Sequence, residues 1–117
     1  MNLNNEPRVH ALEWTGNSLK VLDQRLLPEE TKYNDYTNAL DVTEAITSMQ
    51  VRGAPAIGIA AAYGVALSVM LHYSAASKTW KSRVLEDIKQ LANSRPTAVN
   101  LFWALEKMQG VLDQQTE

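Results

Sequence analysis

The sequence contains no cysteine, which excludes disulfide bonds, thiolate nucleophiles and thiolate metal sites. Histidine is scarce, because only His10 and His72 occur, too few for a histidine-rich metal site. We therefore predict no metal in this chain. An excess of charge of one sign is also lacking, since 11 basic and 13 acidic residues leave a formal net charge of −2. No overall field draws the chain to nucleic acid or to an anionic membrane.

The N-terminal segment MNLNNEPRVH lacks the basic and apolar regions of a secretory signal, and the absence of cysteine agrees with a reducing compartment. We therefore expect a cytoplasmic protein without a nucleic-acid partner. Its 117 residues, 45% of them apolar and 21% charged, have the length and balance of one soluble globular domain.

One long stretch lacks charge altogether, because no Asp, Glu, Lys or Arg occurs between residues 53 and 77. Its length is sufficient to span a bilayer. Its middle, however, consists largely of alanine and glycine, which supply little transfer energy and suit close approach of neighbouring helices. We predict a buried core helix in preference to a membrane span, and no membrane partner.

Two segments rich in strand-forming residues, 9–14 and 18–22, flank a short turn at residues 15–17. This pattern predicts a β-hairpin. A third extended stretch is expected at about 31–36, after a polar connection. The first 38 or so residues are therefore interpreted as a small β element.

From Asp41 the period of the apolar residues changes from two to about three and a half, with a stripe at Val42, Ala45, Ile46 and Met49. Asp41 and Glu44 have the spacing of a capping box, so we expect the first helix to start at Asp41. Pro55 suits the first turn of the next helix. The periodicity predicts three more helices, at about 56–73, 79–92 and 97–112.

In chain order, these elements predict an α+β fold in which a β-hairpin or small antiparallel sheet precedes a four-helix, bundle-like core. We expect a single N-terminal domain over residues 1–117, with the β element at about 1–38 and the helical part at about 40–113. No internal repeat interrupts this organisation.

An arginine stands directly before the second predicted helix, in the stretch VRGAPAIG that begins at Val51. If Pro55 opens that helix, the free N–H groups near Gly53 and Ala54 lie at its positive end, where an anion is stabilised. Arg52 can add two parallel hydrogen bonds to a phosphate. A positive charge interacts unfavourably with the positive end of a helix dipole, so Arg52 at this position indicates an anionic partner.

The arrangement recurs at Arg95, which precedes Pro96 at the predicted start of the last helix. Two such junctions can converge on one anion. An ordinary turn with solvated arginines is the alternative interpretation and stays open. Neither a glycine-rich nucleotide loop nor a nucleophile–base pair is found. We expect His72 at the edge of the core, and aromatic residues of the core or an interface at Trp80, Phe102 and Trp103.

Three stretches, ALEWTGNSLKVLDQRLLPEETKY, DVTEAITSMQVRGAPAIGIAAAYGVAL and NSRPTAVNLFWALEKM, closely resemble the N-terminal domain of the methylthioribose-1-phosphate isomerase family of methionine salvage. The related superfamily includes ribose-1,5-bisphosphate isomerases and the regulatory subunits of the guanine-nucleotide exchange factor of eukaryotic translation initiation. The stretches RGAPAIGIAAAYG and RPTAVNLFWAL look like the isomerase.

The resemblance implies that a larger Rossmann-like domain follows and that the substrate, a phosphorylated pentose, lies between the two domains. It implies that Arg52, Gly53, Ala54 and Arg95 bind the sugar phosphate. The implied reaction converts 5-methylthioribose 1-phosphate to 5-methylthioribulose 1-phosphate without a metal or organic cofactor, in a parent protein that is a homodimer.

The family's catalytic cysteine and aspartate belong to the larger domain, and this chain has no cysteine. We therefore expect an N-terminal fragment that lacks the catalytic α/β domain, holds no catalytic residue of its own and is inactive alone. A non-catalytic regulatory module of the same superfamily, binding a phosphorylated metabolite or a protein partner, is the alternative. A free-standing helical interaction domain is a third hypothesis.

Overall fold

The computed structural model describes residues 11–73, 78–95 and 98–114. Three short strands precede four helices, which confirms the predicted α+β class. The strands and helices are β1 (Leu12–Trp14), β2 (Leu19–Leu22), β3 (Tyr33–Tyr36), α1 (Ala39–Thr47), α2 (Ala54–His72), α3 (Trp80–Ser94) and α4 (Val99–Asp113). A short 3₁₀ helix, Gln24–Leu26, connects β2 to β3. The predictions that concern His10, Pro96 and Thr97 fall outside the described residues.

The three strands form one antiparallel sheet in the order β1-β2-β3. Leu12 pairs with Val21 and Trp14 pairs with Leu19, so the predicted hairpin is confirmed, with a first strand shorter than expected. Leu19 and Val21 are fully buried in the core. The sheet meets the helices where Trp14 stacks on Tyr63 of α2, with ring centroids 4.9 Å apart.

Helix α1 begins at Ala39, so the expectation that it starts at Asp41 was wrong. The reason is Asn38, whose side-chain oxygen accepts a hydrogen bond from the backbone N–H of Asp41 at 2.9 Å. Asparagine is among the best N-cap residues, and the Asn38 amide also donates to the Asp41 carboxylate at 3.1 Å. Asp41 is thus the third residue of the helix and Asn38 is its cap.

Helix α1 ends in a Schellman motif around Met49. The N–H of Gln50 donates to the carbonyl of Ala45, and the N–H of Met49 donates to the carbonyl of Ile46, which is the hydrogen-bond pattern of that motif. Met49 has φ of 69°, a left-handed conformation that glycine usually occupies. The chain therefore turns sharply before it reaches Arg52.

Helix α2 is the centre of the helical part and packs against each of the other three helices. A Cβ added to Gly64 would lie within 3.3 Å of side-chain carbons of Leu91 and Val42, and one added to Gly58 would lie 3.1 Å from the carbonyl oxygen of Asn100. The small residues therefore permit close helix packing, as predicted. By length and composition alone α2 could cross a membrane, but its contacts are those of a core helix.

Helix α3 runs antiparallel to α2, because Leu91 packs against Gly64 while Asp87 meets Ser68 and His72, further along α2. Its predicted apolar stripe is buried at Trp80, Val84, Ile88 and Leu91. The chain thus returns along α3 towards the beginning of α2. Helix α4 then starts beside Gly58 of α2, so that α2 and α4 begin at the same end of the bundle.

Candidate functional site

The start of α2 leaves backbone donors free of any side-chain cap. Gly53 is the N-cap residue, and it has φ of 90° and ψ of 132°, with a proline following in the first turn. A Cβ at Gly53 would meet no atom within 4 Å, so glycine is required here by its backbone conformation and not by lack of space. The exposed amides of Gly53 and Ala54 remain accessible at the positive end of the helix.

Arg52 precedes this helix start and is exposed. The ion pairs within the described ranges include Lys20 with Asp35, Arg25 with Asp23, and His72 with Asp87, and Arg52 takes part in none of them. The guanidinium of Arg52 is therefore not held by a carboxylate of the described part of the chain. This leaves its planar donors available for an anion from outside.

Arg95 is the C-cap residue of α3 and is half-buried. Its Nη1 atom is buried and has no hydrogen-bond partner among the residues that the structure describes. An unpaired buried donor costs about 1–3 kcal/mol, and more when it is charged. An acceptor that reached this atom from outside the described residues would remove that cost.

The fold brings the two arginines to the same end of the bundle. Because α3 is antiparallel to α2, Arg95 at the end of α3 lies towards the end where α2 begins and where Arg52 precedes it. The contact between Gly58 and Asn100 places the start of α4 there as well. We call Arg52, Gly53, Ala54 and Arg95 the arginine site.

An open, mainly apolar groove of about 360 Å³ runs between α2 and α4 from the same end. It is lined by Pro55, Gly58, Ile59, Ala62, Asn100, Trp103, Ala104, Lys107 and Met108. Trp103 is 60% exposed, and the ammonium group of Lys107 lies over its ring, 4.9 Å from the centroid. Of the two expected positions, core or interface, Trp103 and Phe102 therefore do not occupy the core, whereas Trp80 is buried in it.

A polar cluster that sequence reasoning missed lies just before Arg52. The buried Gln50 side-chain oxygen accepts hydrogen bonds from the Tyr36 hydroxyl at 2.7 Å and from the Asn34 amide at 3.1 Å. The Gln50 amide donates to the Ser48 hydroxyl at 3.3 Å. These four residues, here named the Gln50 network, join the sheet to the α1–α2 connection. Their sequence separations of up to 16 residues give no local signal.

A second polar group, also missed, is the pair of Asp23 and Arg25. The guanidinium donates to both carboxylate oxygens, at 2.8 and 2.7 Å, and the Asp23 side chain is only 4% exposed. The hydrogen bond from the Arg25 guanidinium is the main reason that the pKa of Asp23 lies below its ordinary value. The pair closes the 3₁₀ turn after β2 and is structural.

His72 lies at the edge of the core, as predicted, and its Nε2 is 3.3 Å from the carboxylate of Asp87. Ser68 donates to the same carboxylate oxygen at 2.6 Å and is fully buried. The three residue types are those of a hydrolase triad, but the serine is bonded to the aspartate and is shielded from solvent. A nucleophile–base pair therefore does not form here. Within the described ranges no cluster of His, Asp and Glu is suited to a metal ion.

A small sheet and a four-helix layer, with Arg52 and Arg95 towards one end of that layer, define an α+β domain. Residues 50–117 match the model of the initiation factor 2 subunit family. Because this match covers more than half of the chain, the chain belongs to that family.

Within this family, the chain is similar to methylthioribose-1-phosphate isomerases, as the sequence motifs predicted. It is 59% identical over 100 residues to the methylthioribose-1-phosphate isomerase of Methylococcus capsulatus, a match that covers 86% of this chain and 28% of that protein. The crystal structure of 5-methylthioribose 1-phosphate isomerase from Pyrococcus horikoshii superposes with a TM-score of 0.86 at 38% identity, covering 97% of this chain and 31% of that one.

The chain also has the same fold as a protein that is named as a translation initiation factor. The structure of the eIF-2B delta subunit from A. fulgidus superposes with a TM-score of 0.82 at 34% identity, covering 93% of this chain and 32% of that one. The chain thus spans about 30% of the length of each of these relatives.

Proposed function

We propose that this chain is the N-terminal, substrate-binding part of an aldose–ketose isomerase that converts 5-methylthioribose 1-phosphate to 5-methylthioribulose 1-phosphate in methionine salvage. The observation that carries the proposal is that Arg52 and Arg95 both lie towards the end of the bundle where α2 begins, with a buried Arg95 nitrogen that has no described partner. The names of the isomerases at 59% and 38% identity support it.

In this proposal Arg52 and Arg95 donate to the phosphate and the sugar oxygens of the substrate. The amides of Gly53 and Ala54 add the positive end of α2, and the glycine lets the backbone approach the ligand closely. Charge-assisted hydrogen bonds of this kind are roughly twice as strong as neutral ones. The site therefore binds the sugar, and the binding energy holds the sugar in the orientation that the reaction requires.

The proton transfer between C1 and C2 that accompanies isomerisation needs an acid–base group. We assign that group to residues beyond this chain, in a following Rossmann-like domain with a cysteine and an aspartate. We further propose a cytoplasmic, homodimeric parent protein that needs neither a metal nor an organic cofactor.

The proposal is tested in a chimera in which this chain replaces the matching 100-residue stretch of the Methylococcus capsulatus isomerase. We expect the chimera to turn over 5-methylthioribose 1-phosphate. Arg52→Ala and Arg95→Ala should each lower kcat/KM by about ten- to a hundredfold, because each removes a charge-assisted contact worth roughly 1.5–3 kcal/mol.

Arg83→Ala is the matched control, because Arg83 is an exposed arginine in the first turn of α3, at the far end of the bundle. It should leave kcat/KM within about twofold of the unsubstituted value, as exposed charges contribute little. Equal activity in all three variants would contradict the arginine site. A folded chimera without turnover would contradict the isomerase assignment.

A regulatory module is the second candidate, and the similarity to the eIF-2B delta subunit favours it. In that case the arginine site senses a phosphorylated metabolite and chemistry is absent. The two candidates separate in the chimera, since a regulator would retain phosphate-ester binding that depends on Arg52 and Arg95 while turnover is lost.

A further inference from the structure

Gln50 is buried, with only 7% of its surface exposed, and it stands two residues before Arg52. Its backbone N–H donates to the carbonyl of Ala45 at the end of α1, and its carbonyl accepts from the N–H of Gln24 in the 3₁₀ helix, both at 3.0 Å. One residue is thus hydrogen-bonded through its backbone to both flanking parts of the fold.

The side chain of Gln50 adds a third attachment, to β3. Its oxygen accepts from Tyr36 and Asn34, and its amide donates to Ser48. A buried glutamine is normally retained only when its polar atoms are satisfied, and here both side-chain atoms have partners. Val51, the next residue, is also buried, with 1% of its surface exposed. The connection is therefore fixed immediately before Arg52.

The connection needs such an anchor because it contains two left-handed residues. Met49 has φ of 69° and Gly53 has φ of 90°, and glycine is free to adopt other conformations. Downstream, the N–H of Ile57 donates to the carbonyl of Gly53 at 2.9 Å and begins the helix. Upstream, Gln50 supplies the corresponding restraint. Arg52 stands between the two fixed points.

We propose that Gln50 is a positioning residue of the arginine site, which holds Arg52 in the geometry that binds the sugar phosphate. The inference rests on the proposed function. Gln50 does not touch the ligand, and it acts through the backbone of the connection. Loss of its hydrogen bonds lets Arg52 move, and a small misplacement of a charge-assisted donor weakens binding strongly.

The test is a titration of the ¹⁵N-labelled chimera described above with the equilibrated mixture of 5-methylthioribose 1-phosphate and 5-methylthioribulose 1-phosphate, followed through the amide signals of Gly53 and Ala54. Gln50→Met keeps the length of the side chain and removes its hydrogen bonds. We expect this variant to bind about tenfold more weakly. Tyr36→Phe, which removes one donor of the network, should weaken binding by about threefold and serves as the milder variant if Gln50→Met fails to fold.

A double-mutant cycle distinguishes positioning from general destabilisation. In the Arg52→Ala background, Gln50→Met should change Kd by less than about twofold, because its effect passes through Arg52. Ser68→Ala is the matched control, since it removes a buried hydrogen bond near the other end of α2. It should lower the urea midpoint and leave Kd unchanged.

The possible results separate the two proposals. If Arg52→Ala weakens binding but Gln50→Met and Tyr36→Phe do not, the positioning role is wrong and the arginine site stands. If Gln50→Met has the same effect with and without Arg52, the positioning role is again wrong. If the folded chimera does not bind the ester, or binds it equally well after Arg52→Ala, the arginine site fails and the role of Gln50 fails with it.

Discussion

Gly58 of α2 faces the backbone carbonyl of Asn100 in α4 so closely that an added Cβ would lie 3.1 Å from the oxygen. This contact sets the distance between the starts of α2 and α4. A backbone oxygen yields less readily than the end of a flexible side chain, so the contact is a sensitive point of the fold.

The first prediction concerns this contact. Gly58→Ala should lower the free energy of unfolding by about 1 kcal/mol, because the overpacking cost of roughly 1–3 kcal/mol exceeds the gain in helix propensity. Gly110→Ala is the control, since Gly110 lies in α4 with nothing within 4 Å of an added Cβ. That change should stabilise by up to about 1 kcal/mol. Urea unfolding measures both, and a stabilised Gly58→Ala variant would contradict the packing argument.

The second prediction concerns Met49, the left-handed residue that ends α1. Met49→Gly should raise the free energy of unfolding by about 1 kcal/mol, because a left-handed conformation costs an ordinary residue roughly 1–2 kcal/mol. Met49 is 44% exposed, so little packing is lost. Met49→Ala keeps the backbone cost and is the comparison. The prediction is wrong if glycine is no more stable than alanine in urea unfolding.

The third prediction concerns pH. Because the pKa of Asp23 is lowered in the folded chain, its carboxylate stabilises the fold fully above the ordinary aspartate value of 3.8, and that stabilisation is lost as the pH falls through the lower folded value. Asp23→Asn should therefore lower the urea midpoint at pH 7 and at pH 5, and the difference from the unsubstituted chain should shrink by pH 3. A constant difference at all three pH values would contradict this.

The fourth prediction concerns Arg95. In the free chain, Arg95→Ala should leave stability unchanged or raise it, because a buried donor without a partner costs about 1–3 kcal/mol. Added phosphate should raise the melting temperature of the unsubstituted chain, since a ligand that binds only the folded state stabilises it. The variant should show less of this increase. Equal shifts in differential scanning fluorimetry would show that Arg95 takes no part in anion binding.

The fifth prediction concerns activity of the isolated chain. The 117 residues contain no cysteine, and the described part offers no nucleophile–base pair. We expect no conversion of 5-methylthioribose 1-phosphate by the purified chain, followed by NMR of the sugar carbons. Turnover would refute the assignment of the acid–base group to residues beyond it.

Local signals predicted most of the elements. The strand-forming residues on both sides of the turn predicted the hairpin, and the apolar stripes predicted α2, α3 and α4 to within about two residues of their observed bounds. The start of α1 was missed because Asn38 and Asp41 are both suitable N-cap residues. In the structure the side-chain oxygen of Asn38 accepts a hydrogen bond from the N–H of Asp41, so Asn38 is the cap.

The site was predictable only in part. Proline or glycine next to an arginine singled out Arg52 and Arg95, and the described structure has a helix start directly after Arg52, whereas Arg95 is the C-cap of α3. The return of α3 along α2 and the Gln50 network depend on contacts between distant parts of the chain, which no local pattern encodes. The exposure of Trp103 did have a signal, since helical periodicity places it on the side of α4 opposite the buried Leu101 and Leu105.

The length of helix α3, 15 residues, determines where Arg95 lies relative to Arg52. Deleting one residue within α3 would shorten the helix by about 1.5 Å and rotate the residues after the deletion by about 100° about the helix axis. The direction of the guanidinium at its end would then change by that angle even if every helix still formed. Insertions and deletions in α3 should therefore abolish ligand binding more readily than point substitutions on its solvent-facing side.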